Sequence, residues 1–249
     1  MDYIKKPAKN LLTGAYGLWS VLALILVTIP TLLVLAVLPG ESKRRWLVRN
    51  AARAVFTLIG ARPAVTGLEH LPDSPCVVVA NHASYLDGII LTAVLPPRFS
   101  FVIKREMTRV PLAHFLLRRI GSQFVERSER RQRATDARRI MKEASQQRSL
   151  AFFPEGTFAA EPGLRRFQSG AFLVAARNGA PLVPVTILGS REMLPAHHWL
   201  PVPGRLEVIV HEPVRTDTGE PDTAQLIRLA RQRILQSLPE PDLLGVDRT

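Results

Sequence analysis

The sequence predicts an α/β protein: a mostly parallel open sheet flanked by helices, with an N-terminal membrane-embedded helix or helical hairpin. Three observations predict it. Short β-rich runs alternate with helical patterns along most of the chain, the rhythm of strands joined by crossover helices. Ahead of that alternation, an apolar run without a charge, AYGLWSVLALILVTIPTLLVLAVL, extends from Ala15 to Leu38. Finally, 47% of the 249 residues are apolar, which is enough to bury the core of one α/β domain and excludes a disordered chain. The expected division is residues 1–60 as membrane anchor and interfacial helix, and 61–249 as the main domain.

The N-terminal run exceeds the roughly 20 apolar residues with which a helix crosses a hydrocarbon core. It also exceeds the apolar stretch of about 7–15 residues in a cleavable signal, and Leu38-Pro39-Gly40 is a poor cleavage site. With no charge on any face, it does not read as a soluble helix with a wet side. Lys5, Lys6 and Lys9 precede it; Lys43, Arg44, Arg45, Arg49 and Arg53 follow it. A single span would place one basic cluster on the disfavoured side. A hairpin broken at Pro30 would keep both clusters cytoplasmic and is slightly preferred. Either form puts the main domain on the cytoplasmic face of the cell (inner) membrane, where basic residues meet anionic headgroups.

The net charge of +12 suits a polyanionic partner without choosing among membrane, nucleic acid and acidic protein. A single cysteine, Cys76, excludes an intrachain disulfide and a thiol-based zinc site.

The later elements follow in order. Lys43–Ile59 has apolar residues at helical spacing and an Arg-rich opposite face, as in an interfacial or packing helix. Strands are expected at Ala64–Thr66, Cys76–Ala80, Phe99–Ile103, Gln123–Val125, Leu150–Phe153, Leu182–Leu188 and Leu206–Val210. Helices are expected at Leu86–Val94, Pro111–Ile120, Arg130–Gln147, Ala171–Asn178 and Thr223–Leu238. The Arg-rich segment from Arg127 to Arg139 fits a solvated face, a membrane contact or the docking of an acidic carrier protein.

Two stretches carry chemistry. Asn81-His82-Ala83-Ser84-Tyr85-Leu86-Asp87 directly follows the strand CVVVA. In open α/β sheets, reactive groups gather where strands end and helices begin. Here the chain can curl so that the Asp87 carboxylate meets one nitrogen of His82 and leaves the other as a general base. A His-x4-Asp spacing also arises at an ordinary capped helix, so alone it decides little. The second stretch, Phe153-Pro154-Glu155-Gly156-Thr157, ends the strand LAFF and can present Glu155, a glycine backbone and the Thr157 hydroxyl at the same sheet edge. Pro and Gly would equally suit a plain turn.

Taken together, these motifs resemble the glycerolipid acyltransferase family that includes the 1-acylglycerol-3-phosphate (lysophosphatidic acid) acyltransferases. The resemblance covers roughly Pro63 to Pro213 in four blocks: NHASYLD; Lys104-Arg105-Glu106 through Gly121-Ser122-Gln123-Phe124-Val125-Glu126-Arg127; FPEGT; and Val183-Pro184-Val185. It implies that His82 is the base and Asp87 its partner. It further implies that Arg127 serves the acceptor phosphate, that Glu155 and Gly156 bind the acceptor, and that Val183–Val185 supports the site. The implied reaction moves a fatty-acyl group from acyl-CoA or acyl-carrier protein to a hydroxyl of a lysophospholipid, without cofactor or metal.

Direct attack by the acceptor makes Ser84 and Cys76 non-nucleophilic, with Ser84 a local hydrogen-bonding residue. Lys104 or a backbone amide near Gly156 would hold the oxyanion. His197-His198 lacks further ligands at metal spacing and reads as a surface loop.

Where many relatives acting on lysophosphatidic acid carry Arg after EGT and Lys after the later Phe, this chain has Phe158 and Gln168, with Arg165 and Arg166 nearby. That leaves lysophosphatidic acid as the first acceptor and another lyso-lipid, such as lyso-ornithine lipid, as the alternative. Membrane lipids and the acyl donor are the expected partners. Nucleic acid is not, since no helix-turn-helix, zinc or aromatic RNA-platform motif accompanies the charge. A catalytically silent membrane-binding relative is the rival from another class. A serine lipid hydrolase is weaker still, for want of a G-x-S-x-G elbow.

Overall fold

In a computed structural model, which describes residues 5–126, 139–144, 148–214 and 222–245, seven strands form one sheet. They are β1 (Ala64–Thr66), β2 (Val77–Ala80), β3 (Phe99–Lys104), β4 (Gln123–Val125), β5 (Ser149–Phe152), β6 (Leu182–Leu188) and β7 (Glu207–Val210). Their spatial order is β1-β7-β6-β2-β5-β3-β4. β2 lies at the centre, parallel to both β5 and β6; β6 and β7 form the antiparallel pair. The sheet expected from the sequence is therefore present, with two reversed strands, β7 and β1, at one edge.

The central strand shows why. All four residues of β2 are buried, as a β-branched run with no polar side requires. Their alternation feeds two cores. Val78 and Ala80 pack on one face with Phe56, Ile90 and Leu91. Val77 and Val79 pack on the other with Phe172, Leu226 and Ile234. The first layer comes from α2 (Glu41–Leu58) and α3 (Leu86–Val94), the second from α5 (Gly170–Asn178) and α7 (Thr223–Ser237). Two further helices, α4 (Pro111–Arg119) and the short α6 (Ser190–Met193), follow β3 and β6. Residues 139–144 are helical, while the rest of the helix expected at Arg130–Gln147 lies outside the described residues.

At the N-terminus, α1 (Lys5–Val37) runs unbroken with Pro30 inside it. The break expected at Pro30 does not occur. Proline removes one backbone donor, the one that would reach Leu26 O, yet the helix continues through it with α2 packed alongside. The chain instead reverses at Leu38–Gly40, where Gly40 adopts φ 83, a conformation that favours glycine. From there α2 returns along α1, and Trp19 Nε1 donates to Leu58 O at 2.9 Å. Most of the large apolar side chains between Leu11 and Val37 are exposed, among them Leu18 and Leu33. This stretch is long and apolar enough to cross a membrane.

Of the two readings of α2, interfacial or packing helix, its arginines show packing: they close helix ends. Arg44 donates to Leu38 O and Arg45 to Ile120 O, both at 2.8 Å. Arg49 and Arg53 reach the carbonyls of Val94 and Ala93 at the end of α3. Arg119 bonds Leu35 O, at the end of α1, at 2.9 Å. The last carbonyls of a helix lack intrahelical partners and carry its negative dipole end, so a guanidinium satisfies both at once.

Candidate active site

The parallel strands β2, β3, β4, β5 and β6 end at the same edge of the sheet, and their loops meet there. Immediately after β2, Asn81 spans to β6: its amide donates to Ile187 O at 2.9 Å and its oxygen accepts from Ile187 N at 2.7 Å. This tie turns the chain out of the sheet one residue before His82.

Four residues on, α3 begins. Its first-turn Asp87 is fully buried, and its Oδ2 accepts from Ala83 N (2.6 Å), Ser84 N (2.8 Å) and His82 Nδ1 (2.9 Å). Two backbone amides donate to this oxygen, and in the same array the imidazole offers it a hydrogen from Nδ1. That fixes the tautomer with the lone pair on Nε2. Asp87 Oδ1 is buried with no hydrogen-bond partner among the described residues, which concentrates the carboxylate's pairing on the histidine side. Ser84 is also buried; its hydroxyl donates to Leu194 O at 2.8 Å, in keeping with the local role expected for it.

The loop after β5 comes over the same histidine. Phe153 stacks on the His82 ring at 4.3 Å, and Phe158 meets it edge-on at 4.7 Å. Phe158 also contacts Tyr85 edge-on. Glu155 is buried, and its two oxygens accept from His82 N at 2.7 Å and Arg165 N at 2.8 Å. Burial pushes this carboxyl up to about 7, against the opposing pull of those two amides. Gly156, at φ 82, closes the turn by donating to Phe153 O at 3.1 Å.

The structure thus brings His82, Asp87, Glu155 and Gly156 together. Thr157 is exposed on the outer side of the same loop. Lys104 is placed two strands away from β2, its amine 2.9 Å from Glu106 Oε1 at the surface, an ion pair that holds the Glu106 carboxyl below its usual range. Arg127 lies outside the described residues, as does most of the Arg-rich segment that follows it. His197 and His198 are exposed, and no group of three or more metal-ligating side chains occurs among the described residues.

A family model described as Acyltransferase matches residues 62–188, a stretch containing both histidine-side and glutamate-side loops. The chain belongs to the acyltransferase family.

Among curated proteins, this acyltransferase-family chain is 33% identical over 177 residues to the 1-acyl-sn-glycerol-3-phosphate acyltransferase BAT2 of Brassica napus, covering 70% of the chain and 50% of that protein. The alpha form of 1-acyl-sn-glycerol-3-phosphate acyltransferase from Bos taurus is 31% identical, over 83% of this chain and 71% of its own. The Pseudomonas aeruginosa 1-acyl-sn-glycerol-3-phosphate acyltransferase is 26% identical, over 92% and 88%. The chain spans about half the length of the chloroplast relatives. A crystal structure of the 1-acyl-sn-glycerophosphate acyltransferase PlsC from Thermotoga maritima superposes with a TM-score of 0.71 at 22% identity, covering 93% of this chain and 96% of that one. That likeness shows the fold.

Sequence reasoning missed the supports of the second loop. Arg231 of α7 is buried, donates to Leu164 O at 2.6 Å and lies over the Phe167 ring at 5.2 Å. It also pairs with Asp242, whose carboxyl it holds below its ordinary range. Arg191 of α6 grips Glu240 and donates to Ala159 O at 2.6 Å. One signal was legible. Arg231 falls inside the apolar stripe Leu226, Ala230, Ile234, where an arginine needs a partner. Replacing Arg231 with methionine keeps the volume but orphans the carbonyls of Leu164 and Arg165. We expect about 3 kcal/mol lower unfolding stability, read from denaturant midpoints.

Proposed function

We propose that this protein is a membrane-bound O-acyltransferase that moves a fatty-acyl group from acyl-CoA or acyl-carrier protein to a lysophospholipid hydroxyl, lysophosphatidic acid being the first acceptor. The observation that carries the reading is the His82–Asp87 pair: a 2.9 Å contact with the carboxylate fixed by two amides, at the mouth of a sheet edge. His82 Nε2 takes the acceptor's hydroxyl proton while that oxygen bonds to the thioester carbonyl carbon. The tetrahedral intermediate collapses, the C–S bond breaks, and the imidazolium returns its proton to the leaving thiolate. Asp87 stabilises the imidazolium throughout. No group on the protein is acylated, consistent with buried, hydrogen-bonded Ser84 and buried Cys76.

The activity named for the relatives supports a 1-acylglycerol-3-phosphate acceptor. A second reading rests on Phe158. An aromatic ring packed on His82 supplies no cation for a phosphate at that position, so a different lyso-lipid, such as lyso-ornithine lipid, is the alternative. Labelled acyl-CoA or acyl-carrier protein, offered with a panel of lysolipids to the purified protein, tests both. Conversion of lysophosphatidic acid alone supports the first, conversion of another lyso-lipid the second. No acylated product from any lysolipid and either donor would sink the phospholipid reading.

The membrane placement follows from α1. The body touches this helix at Gly17, through Leu200, and again at Leu35, through Arg119. Those contacts are about 27 Å apart along the axis, close to the roughly 30 Å of a hydrocarbon core. A perpendicular span would carry the body into the bilayer. The contacts therefore favour α1 and α2 lying together in the cytoplasmic leaflet, which keeps both basic flanks on one side.

A further inference from the structure

We propose that the loop from Leu194 to Leu200 is a second membrane contact, with Trp199 seated at the depth of the lipid headgroups beside α1. The proposal rests on the membrane placement above and adds to it a site remote in sequence from the anchor.

Trp199 is 92% exposed. An indole left so bare on a folded surface forgoes the large apolar burial that tryptophan normally gains. Its neighbour Leu200 shows where the loop sits. A Cβ added at Gly17 would lie 2.8 Å from Leu200 Cβ and 3.0 Å from Pro201 O, so the loop presses on α1 where α1 has no side chain. Gly17 belongs to the apolar run, and the next residues along it, Leu18 and Leu22, are exposed. Trp199 and Leu200 therefore lie beside the exposed apolar side chains of α1, a clustering unlike the singly scattered hydrophobes of a soluble surface.

The occupant of that surface is lipid. It continues a stretch long and apolar enough to cross a membrane, on a chain of net charge +12 that anionic headgroups attract. An indole, apolar in body with one N–H donor, is favoured at the boundary between hydrocarbon and water. The exposed His197 and His198 precede it and give the loop polar groups for the headgroup layer.

The loop also reaches the site. Leu194 O accepts from the Ser84 hydroxyl at 2.8 Å, inside the loop that carries His82 and Asp87. Val202 N donates to Met193 O at 2.8 Å and closes the loop's base. A bilayer contact at Trp199 thus sets the height of His82 above the surface, where a lysolipid's hydroxyl can meet it without leaving the leaflet.

Two single-tryptophan proteins test this in reconstituted vesicles of mixed anionic and zwitterionic lipid, with and without bromine on the acyl chains near the headgroup. W19F/W46F retains Trp199, and W46F/W199F retains Trp19. The expected result is a blue-shifted Trp199 emission that brominated lipid quenches, with Trp19 quenched as well. Trp19 quenched while Trp199 emits equally in both vesicles overturns the loop contact and leaves the membrane placement standing. Neither quenched overturns both. Trp199 shielded in a manner that depends on protein concentration, equally with and without bromine, means a second copy covers it and the lipid assignment is wrong. In parallel, W199S should raise the apparent KM for vesicle-borne acceptor about tenfold while leaving a short-chain, water-soluble acceptor unaffected. Equal effects on both acceptors would contradict the proposal.

Discussion

His82→Ala is expected to lower acyl transfer by a factor of about 10³ while the protein stays folded. The imidazole is the one group here with a lone pair held ready by a buried anion, and an alcohol attacks a thioester slowly until its proton is leaving. The side chain is partly exposed and packs mainly on Phe153 and Phe158, so its loss costs stability only about 1 kcal/mol.

Asp87→Asn makes a sharper comparison. The amides of Ala83 and Ser84 demand an acceptor where Oδ2 lies, so the new carboxamide is held with its oxygen there. Nδ1 can still donate to it and the tautomer survives. What disappears is the charge that stabilises the imidazolium. The expected fall is about 10²-fold, with the acidic limb of the rate profile moved to lower pH, because an imidazolium without the carboxylate's charge gives up its proton sooner. His82→Ala should show no such limb. Full activity in His82→Ala would remove His82 as the base; an unaltered cellular phenotype with abolished transfer would favour a scaffolding role.

Much of this was legible in the sequence for a physical reason. A strand buried on both faces must be an unbroken apolar run, and CVVVA and LAFF announce themselves and the loops that follow them. His82 and Asp87 are close in sequence, so their meeting needs only one turn of chain. Glu155 lies 73 residues from His82, and its bond to the His82 amide depends on β5 pairing with β2 in one register. Spacing alone holds no trace of that register.

For α2 the sequence left interfacial and packing roles open, because charge at helical period looks the same whether it faces water or the carbonyl ends of neighbouring helices. Pro30 was misread because its local penalty is certain, whereas the packing of α2 along the unbroken helix is tertiary.

Glu155→Gln is expected to change both stability and turnover, and the two changes separate its roles. The carboxyl has its pKa raised from 4.5 to about 7 by burial, so between those values the folded protein holds a proton that the unfolded chain has released. Stability then falls as pH rises. The penalty is absent below about pH 4 and complete above about pH 7, reaching about 3 kcal/mol. Glutamine does not titrate. The difference in unfolding free energy between the two proteins, which cancels all shared groups, should therefore slope across pH 5 to 7 in favour of the variant. A flat difference would mean that Glu155 is not buried as described.

At neutral pH the ionised fraction accepts both the His82 and the Arg165 amides, while glutamine turns a donor towards one of them. Loss of that brace lets the His82 backbone shift, and a displacement of about 1 Å at a base can cost about 10² in rate. If Glu155 acts by bracing His82, kcat falls and the acceptor KM holds. If it also touches the acceptor, as the resemblance implies, KM rises with it. Both oxygens are already taken by backbone amides in this structure, so the expected result is the fall in kcat alone.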